Sequence, residues 1–253
     1  MRLATWNILH GRTPADAAVD GDRLARAVEA LGADVLALQE VDRGQPRSDM
    51  LDLTAIAAEA MGGASSRFAP ALIGDPARQW RPARDDDLDA TADGYGVALV
   101  SRHPVLRWHV LRLEPSARFR APLREPGAQE VTWIRDEPRV AIAATIRTPT
   151  GDRTIAATHL SFVPGVNVRQ LKRTLRWLEV LPGPRILMGD LNLPAAVVRR
   201  IDGWHSLARQ RTFPADRPMV QLDHVLSDER LPARRIRVPR PPLSDHLPLV
   251  VEL

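Results

Sequence analysis

The chain has 253 residues and contains no cysteine, a single tyrosine and a single lysine. The absence of cysteine excludes disulfide frameworks, thiolate metal sites and cysteine nucleophiles. No apolar run approaches the roughly 20 residues that a membrane-spanning helix requires. Residues 3–8 predict a strand rather than the apolar segment of a signal peptide. We therefore expect a cytoplasmic protein without a membrane span.

The basic residues are unusual in kind rather than in number. The net charge is +4 and 26% of the residues are charged, as in an ordinary globular protein. All but one of the 35 basic residues are arginine, which suits bidentate contact with phosphate. Biased codon usage explains most of these arginines better, and so small a net charge does not by itself indicate a nucleic-acid-binding surface.

The hydrophobic pattern predicts more strands than helices. The predicted strands cover residues 2–8, 34–38, 95–100, 139–147, 154–160, 185–189, 219–226 and 247–253. The predicted helices cover residues 23–31, 51–61, 168–181 and, after Pro194, a short segment to Ile201. Residues 70–94 and 114–137 are expected to be irregular, with Asp85, Asp86 and Asp87 solvated. Hairpins that alternate with helical crossovers indicate two packed sheets with helices outside, in one domain over residues 1–253.

The most informative stretch is residues 185–192, Arg-Ile-Leu-Met-Gly-Asp-Leu-Asn. Its apolar residues predict a buried strand that ends at Gly189. Asp190 and Asn192 follow, and in an extended segment this spacing points both side chains to the same side. A carboxylate there can bind a hard cation or accept a proton, and an amide can hold a phosphate oxygen or a water. Taken alone, these residues are also typical of a plain turn.

Other predicted strands also end in polar residues that carry chemistry. The full set is Asn7, Glu40, His159, Asp190, Asn192, Asp223, Asp245 and His246. Each has an ordinary structural explanation by itself; His159, for example, is also typical of a hydrogen-bonded core histidine. Together they supply the cation ligands, the general base, the general acid and the hydrogen-bond donors to phosphate that metal-assisted phosphate hydrolysis requires.

The order of these motifs resembles the endonuclease/exonuclease/phosphatase superfamily, which has the deoxyribonuclease-I-like fold. The matching segments are Thr5–Ile8, Leu38–Val41, Tyr95–Arg102, Thr158–Leu160, Gly189–Asn192, Leu222–Val225 and Ser244–His246. The resemblance implies an α/β protein, a four-layered α/β/β/α sandwich of two mainly antiparallel sheets flanked by helices. The site is expected at one rim of the paired sheets.

The resemblance also implies Mg²⁺ or Mn²⁺, as one or two ions. Glu40 would hold the first ion, with Asn7 and Asp245 close by. Asp190, Asn192 and His246 are the expected ligands of a second ion.

Catalytic roles follow from the same resemblance. Asp190 would orient or deprotonate the attacking water, and Asn192 would hold the water and the phosphate. His159 would donate to the phosphate. His246 would bind phosphate or act as acid or base, oriented by Asp223.

Three further residues have weaker assignments. Arg139 matches a position where the family often has an arginine that contacts phosphate. Tyr95 matches a position near the first histidine, and a packed core tyrosine explains it equally well. His10 is interpreted either as a contact at the metal rim or as an ordinary turn residue.

The expected function is that of a phosphodiesterase or nuclease, with the basic helix face at residues 169–176 following a DNA or RNA backbone. The alternatives are a phosphomonoesterase or lipid/inositol-type phosphatase on a small substrate, and a non-catalytic nucleic-acid-binding relative that would have lost catalytic residues. Val41-Asp42 after Glu40 and Leu247-Pro248 after His246 disfavour the branch that cleaves abasic DNA. The Asn7–Gly11 segment is closer to the uncharacterised bacterial branch, and a monomer is expected.

Overall fold

The computed structural model of the protein describes residues 1–63, 65–89, 91–123 and 132–253. In chain order its strands are β1 (Arg2–Asn7), β2 (Val35–Arg43), β3 (Ser65–Gly74), β4 (Trp80–Pro82), β5 (Gly94–Ser101), β6 (Val105–Leu113), β7 (Arg120–Leu123), β8 (Thr132–Arg135), β9 (Arg139–Thr148), β10 (Gly151–His159), β11 (Arg185–Asp190), β12 (His205–Ser206), β13 (Asp223–Ser227), β14 (Arg235–Arg237) and β15 (Leu249–Glu252). The helices are α1 (Gly21–Leu31), α2 (Leu53–Ala60), α3 (Val166–Glu179) and α4 (Ala195–Val198).

The strands form two large sheets. The first has seven strands in the order β14-β15-β1-β2-β5-β3-β4, and the second has six in the order β12-β13-β11-β10-β9-β6. Strands β7 and β8 pair separately. Among the described strands, only β1 with β2 and β10 with β11 run parallel. The predicted pair of mainly antiparallel sheets is confirmed.

Helices cover the outer face of each sheet, which completes the four layers. Leu24 and Val28 of α1 and Leu53 of α2 pack on the outer side of the first sheet. Leu171 and Leu175 of α3 pack on the outer side of the second sheet. Among the described residues, no helix combines the length and the apolar character needed to cross a membrane.

The period of two along each strand decides which residues lie between the sheets. In β11, Ile186 and Met188 belong to the core between the sheets, whereas Leu187 faces the α3 side. Asp190 continues the inward series at the end of the strand. In β1, Leu3 points inward in the same way, and so does Asn7 four residues later. The sequence pattern therefore leads the polar residues into the rim between the two sheets.

Strand β11 does not end at Gly189 as predicted, because Asp190 is still in register with both neighbouring strands. Glycine is required at position 189 by the packing of two strands and not by a chain turn. A Cβ at this position would lie 2.0 Å from the carbonyl oxygen of Thr158 in β10. Only a residue without a side chain allows the two strands to approach so closely next to the site.

Several predicted boundaries were wrong. Strands β3 and β4 cover residues 70–74 and 80–82 of the predicted irregular segment 70–94, and β6 was not predicted. Of the second irregular segment, residues 124–131 lie outside the described residues, and β7 and β8 flank them. Strand β13 begins at Asp223 rather than at Met219.

The acidic run also differs from its predicted solvated state at one residue. Asp87 is buried and accepts hydrogen bonds from Nη1 and Nη2 of Arg81, both at 2.7 Å. The Arg81 guanidinium lowers the pKa of Asp87 to about 2. This carboxylate therefore serves the local fold and is not free to bind a cation.

We predict that Gly189→Ala lowers the free energy of unfolding by about 3 kcal/mol, since overpacking against a backbone carbonyl cannot relax. Denaturant unfolding followed by circular dichroism measures the change. Gly203→Ala is the control, because Gly203 has a φ of +76° and open space around its Cβ position. It should cost about 1 kcal/mol, the penalty of the left-handed conformation alone. Equal losses in both variants would contradict the close-approach explanation.

Candidate active site

Three predicted site residues lie side by side in one row across the second sheet. His159 ends β10, Asp190 ends β11 and Asp223 begins β13, and Asp190 is in register with both of the others. Oδ2 of Asp190 lies 3.6 Å from Nε2 of His159. The strand register therefore places two carboxylates and an imidazole together without any loop to position them.

The first sheet contributes Asn7 and Glu40 to the same place. Nδ2 of Asn7 donates to Oε1 of Glu40 at 3.0 Å and to Oδ2 of Asp190 at 3.1 Å. Oδ1 of Asn7 accepts from the backbone N–H of Leu9 at 3.1 Å. Both N–H groups of this amide are therefore used and connect the two sheets, while Oδ1 keeps one lone pair for another partner.

A β-bulge turns Glu40 into the site. In β2, Leu36 and Leu38 face the helices, so regular alternation would send Glu40 to the same outer side. The register with β5 shifts between Leu38 and Val41, after which Val41 faces outward instead. Glu40 itself has a φ of +52°. Such strain in a non-glycine residue is typical of functional sites.

His246 reaches the row from the segment that precedes β15. Its Nδ1 lies 3.0 Å from Oδ2 of Asp223, and its Nε2 lies 3.7 Å from Oδ2 of Asp190. The backbone of the segment is held by the first strand: the Ser244 hydroxyl donates to the Asn7 carbonyl at 2.6 Å. The Trp6 indole donates to the His246 carbonyl at 3.0 Å. Sequence reasoning gave neither Ser244 nor Trp6 a role, although both stand inside the motifs that carry the resemblance.

Asn192 reaches the site through a turn and not through an extended segment. Its φ is +49°, and its backbone N–H donates to Oδ1 of Asp190 at 2.9 Å. Its side-chain Nδ2 donates to the Leu160 carbonyl at 2.9 Å. The predicted proximity of the two residues is correct, but the assumed backbone geometry was wrong. A hydrogen-bonded Asx turn brings them together.

Arg139 determines the form of His159. Nη1 of Arg139 lies 3.1 Å from Nδ1 of His159, and both residues are buried. A guanidinium can only donate, so Nδ1 accepts and the proton of a neutral imidazole is on Nε2. Burial, followed by the charges of Arg139 and His246, lowers the pKa of His159 well below its ordinary value. His159 is therefore a neutral imidazole whose Nε2 faces Oδ2 of Asp190 at 3.6 Å and Nδ2 of Asn192 at 3.2 Å.

The carboxylates and His246 are electrostatically linked. Burial and the charge of Asp223 raise the pKa of Asp190 to about 7. Burial lowers the pKa of His246, but the charge and hydrogen bond of Asp223, then Asp190 and Asp245, outweigh burial and raise it to about 10. Burial, with a contribution from Asp245, also raises the pKa of Glu40. In the metal-free protein, the imidazolium of His246 thus joins the Arg139 guanidinium as a cation among several acids.

Tyr95 and Asp245 border this cluster. Tyr95 lies buried in β5, and burial followed by the charge of Glu40 raises its pKa well above the ordinary value, so that the phenol stays protonated. Asp245 is half-buried next to His246. The structure therefore brings the complete predicted set together at the rim of the sheets: Asn7, Glu40, Tyr95, Arg139, His159, Asp190, Asn192, Asp223, Asp245 and His246.

The donor set is suited to a divalent cation. Ligand atoms of Asp190, Asp223 and His246 lie within 4.8 Å of one another. Oδ1 of Asp223 is buried without a hydrogen-bond partner among the described residues, and such an oxygen can be satisfied by a cation or its water. Glu40 has one oxygen that no described protein group donates to. Carboxylate and amide oxygens are ligands that Mg²⁺ and similar hard cations prefer.

Comparison with known proteins agrees with this fold. The sequence model of the Endonuclease/Exonuclease/phosphatase family matches residues 4–246. Among solved structures, an endonuclease/exonuclease/phosphatase from Beutenbergia cavernae is 24% identical, with a TM-score of 0.67 over 99% of this chain and 70% of that chain. A mannosyl-6-phosphatase from Bacteroides thetaiotaomicron is 16% identical, with a TM-score of 0.65 over 100% of this chain and 98% of that chain. The human Nocturnin catalytic domain with bound sulfate anion is 20% identical, with a TM-score of 0.62 over 99% of this chain and 93% of that chain. A search of the curated proteins finds no match.

We predict that Asp223→Asn lowers the pKa of His246 from about 10 toward its ordinary value, because it removes the charge that most favours the imidazolium. The charged His246 stabilises the folded protein fully below pH about 6.5, and this contribution is lost as the pH rises through the folded-state pKa. NMR titration of the metal-free protein measures the change directly. His109 is the control, since burial and Arg107 lower its pKa and Asp223 has no part in it. An unchanged His246 titration would contradict the assignment of Asp223.

Proposed function

The chain belongs to the endonuclease/exonuclease/phosphatase family of metal-dependent phosphoester hydrolases, and we propose that it is a Mg²⁺- or Mn²⁺-dependent phosphodiesterase acting on nucleic acid. The observation that carries the proposal is the meeting of three groups on Asp190. Its Oδ2 accepts from Asn7 and faces Nε2 of both His159 and His246 within 3.7 Å. A carboxylate between two imidazoles is a suitable place for proton transfer beside a phosphate.

Glu40, Asn7 and Asp245 would hold one divalent ion. A second ion at Asp190, Asn192 and His246 would need a neutral His246, so the protonated form of this residue favours a single ion. Bound there, a cation would offset the negative charge of the phosphate and of the departing oxygen. The Asn7 amide supports this arrangement because it holds the carboxylates of Glu40 and Asp190 a short distance apart. Without that donor, repulsion would separate the two acids.

The remaining residues act directly on water and phosphate. Asp190 orients the attacking water and takes its proton. Asn192, anchored by its backbone to Asp190 and by its side chain to Leu160, places an amide beside the same water. The Nε2–H of His159 donates a hydrogen bond to a phosphoryl oxygen. His246, kept protonated by Asp223, binds the phosphate and can give a proton to the leaving oxygen.

Exposed arginines next to the site support a nucleic-acid substrate. The outer face of α3 exposes Arg169, Lys172, Arg173 and Arg176. Its first turn is tied to the site, since Nδ2 of Asn167 donates to the Asn192 carbonyl at 2.9 Å. A row of exposed cations on a helix whose first turn contacts Asn192 is a surface that a phosphate backbone could follow.

A second candidate is a phosphomonoesterase that acts on a small substrate. It is favoured by the similarity in fold to the mannosyl-6-phosphatase, which covers 100% of this chain. The same catalytic groups would serve, and the exposed arginines of α3 would then be an ordinary solvated face.

We predict that the protein hydrolyses bis-(p-nitrophenyl) phosphate with Mg²⁺ or Mn²⁺ and that EDTA abolishes the activity. Glu40→Ala and His246→Ala should each lower kcat about a hundredfold or more, because each removes charge stabilisation at the phosphate. Arg26→Gln, in an exposed residue of α1, is the control and should retain full activity. Faster hydrolysis of p-nitrophenyl phosphate would favour the phosphomonoesterase. Full activity of both alanine variants would refute the site.

We further predict that Arg169→Gln/Arg173→Gln weakens binding of single- and double-stranded DNA. The slope of log affinity against log salt should fall by up to about two, since roughly 0.9 is lost per phosphate contact in duplex DNA. Fluorescence anisotropy over a range of salt concentrations measures the slope. Arg26→Gln/Arg230→Gln changes the net charge equally at exposed residues outside α3 and should leave the slope unchanged. The same slope in both double variants would count against α3 as the binding face.

A further inference from the structure

Besides Arg139, another arginine lies beside the candidate site: Arg47, in the short turn Pro46–Ser48 that follows β2. Arg47 forms a bidentate pair with the fully buried Asp42, with Nε to Oδ2 and Nη2 to Oδ1 both at 2.8 Å. The pair uses one edge of the guanidinium. Nη1 has no hydrogen-bond acceptor within the described part of the chain, and the Arg47 side chain is 31% exposed. Two N–H groups of Arg47 are thus held in a fixed direction and left for another acceptor.

The position of Arg47 is next to the reacting groups. Its guanidinium lies 5.0 Å from the centre of the Tyr95 ring. Burial lowers the pKa of Arg47, but the hydrogen bonds and charge of Asp42, then Tyr95 and Glu40, raise it above its ordinary value. Burial and the charge of Glu40 raise the pKa of Tyr95, whereas the charges of Arg139 and Arg47 both act against this rise. Arg139 is buried and directs Nη1 to His159, whereas Nη1 of Arg47 belongs to a side chain that is 31% exposed.

His10 lies on the same side as Arg47. The turn that contains it, Leu9–Gly11, packs against the turn that contains Arg47. His10 has a φ of +46°, and its Nδ1 is buried with no hydrogen-bond partner among the described residues. Burial and then the charges of Arg47 and Arg12 lower the pKa of His10 to about 3. A strained, neutral imidazole beside two arginines adds an uncharged polar group to a positive region.

We propose that Arg47 and His10 form an anion-binding subsite beside the catalytic groups, which receives a second phosphate of the substrate next to the one that is hydrolysed. The role of this subsite in the reaction rests on the proposed function, whereas its ability to bind anions is independent of that function. Asp42 aligns the arginine, and the free Nη1 edge provides the two donors that a phosphate accepts. A substrate with adjacent phosphates would bind across both sheets, with His159 on one side and Arg47 on the other.

The test compares the binding of inorganic phosphate, pyrophosphate and tripolyphosphate to the full chain by calorimetry in excess Mg²⁺. The wild type should bind pyrophosphate or tripolyphosphate about tenfold more tightly than it binds phosphate, since one charge-assisted hydrogen bond can contribute that much. Asp42→Asn keeps Arg47 and removes its counter-charge, so it should keep or strengthen this preference. Asp42→Asn/Arg47→Gln also lacks the ion pair but has no guanidinium, and it should lose the preference.

These two variants separate anion binding from a purely structural role. Both lack the Asp42–Arg47 ion pair, so an effect of the pair on folding alone would change them equally and would overturn the proposal. An equal affinity of the wild type for all three anions would also overturn it. If the double variant does not fold, Arg47→Lys replaces it in the test. Lysine keeps a positive charge next to Asp42 but lacks the planar guanidinium, so this variant should bind the longer anions with a smaller preference over phosphate.

Activity distinguishes the two levels of inference. A preference that depends on Arg47, together with no hydrolysis of any phosphoester, would sustain the subsite and refute the proposed function. Hydrolysis of a phosphoester without any Arg47-dependent preference for the longer anions would sustain the proposed function and refute the subsite.

Discussion

The Asn7 amide is the contact on which the arrangement of the site depends. Its two N–H bonds go to Glu40 on the first sheet and Asp190 on the second, while its oxygen accepts from Leu9. An amide is neutral, so it can stand between two carboxylates where a third acid could not. If it were lost, two buried acids would face each other without a donor, which costs far more than one hydrogen bond is worth.

Backbone strain is concentrated around that contact. Glu40, Asn192 and Ser244 all have a positive φ although none of them is glycine. Glu40 lies in the β-bulge of β2, Asn192 follows the end of β11, and Ser244 lies in the segment that holds His246. Left-handed residues of this kind cost about 1–3 kcal/mol each and persist only where the surrounding structure requires them. Here the close packing of neighbouring strands, such as β10 against Gly189 of β11, holds the backbone in these conformations.

The predicted site was closer to the structure than the predicted element boundaries were. The polar strand ends Asn7, His159 and Asp190 were recognisable because a buried strand leads directly into each of them. Strands β3 and β6 were missed because prolines and arginines interrupt their apolar pattern, while pairing with β5 and β9 still forms them. The loop that supports His246 could not be predicted either. The Thr212 carbonyl accepts from the Leu247 N–H at 2.8 Å, and a sequence separation of 35 residues hides that contact from any local pattern.

Two packed sheets with helices outside, and the set of candidate site residues, could be predicted from the sequence alone. These predictions follow from hydrophobic period and residue type, which are local properties. How the groups act on one another depends on the tertiary structure. The bulge that reverses Glu40, the row of His159, Asp190 and Asp223, and the donation from Arg139 that sets the imidazole proton all depend on strand register and burial. Those are properties of pairs of distant segments, and no single stretch of chain contains them.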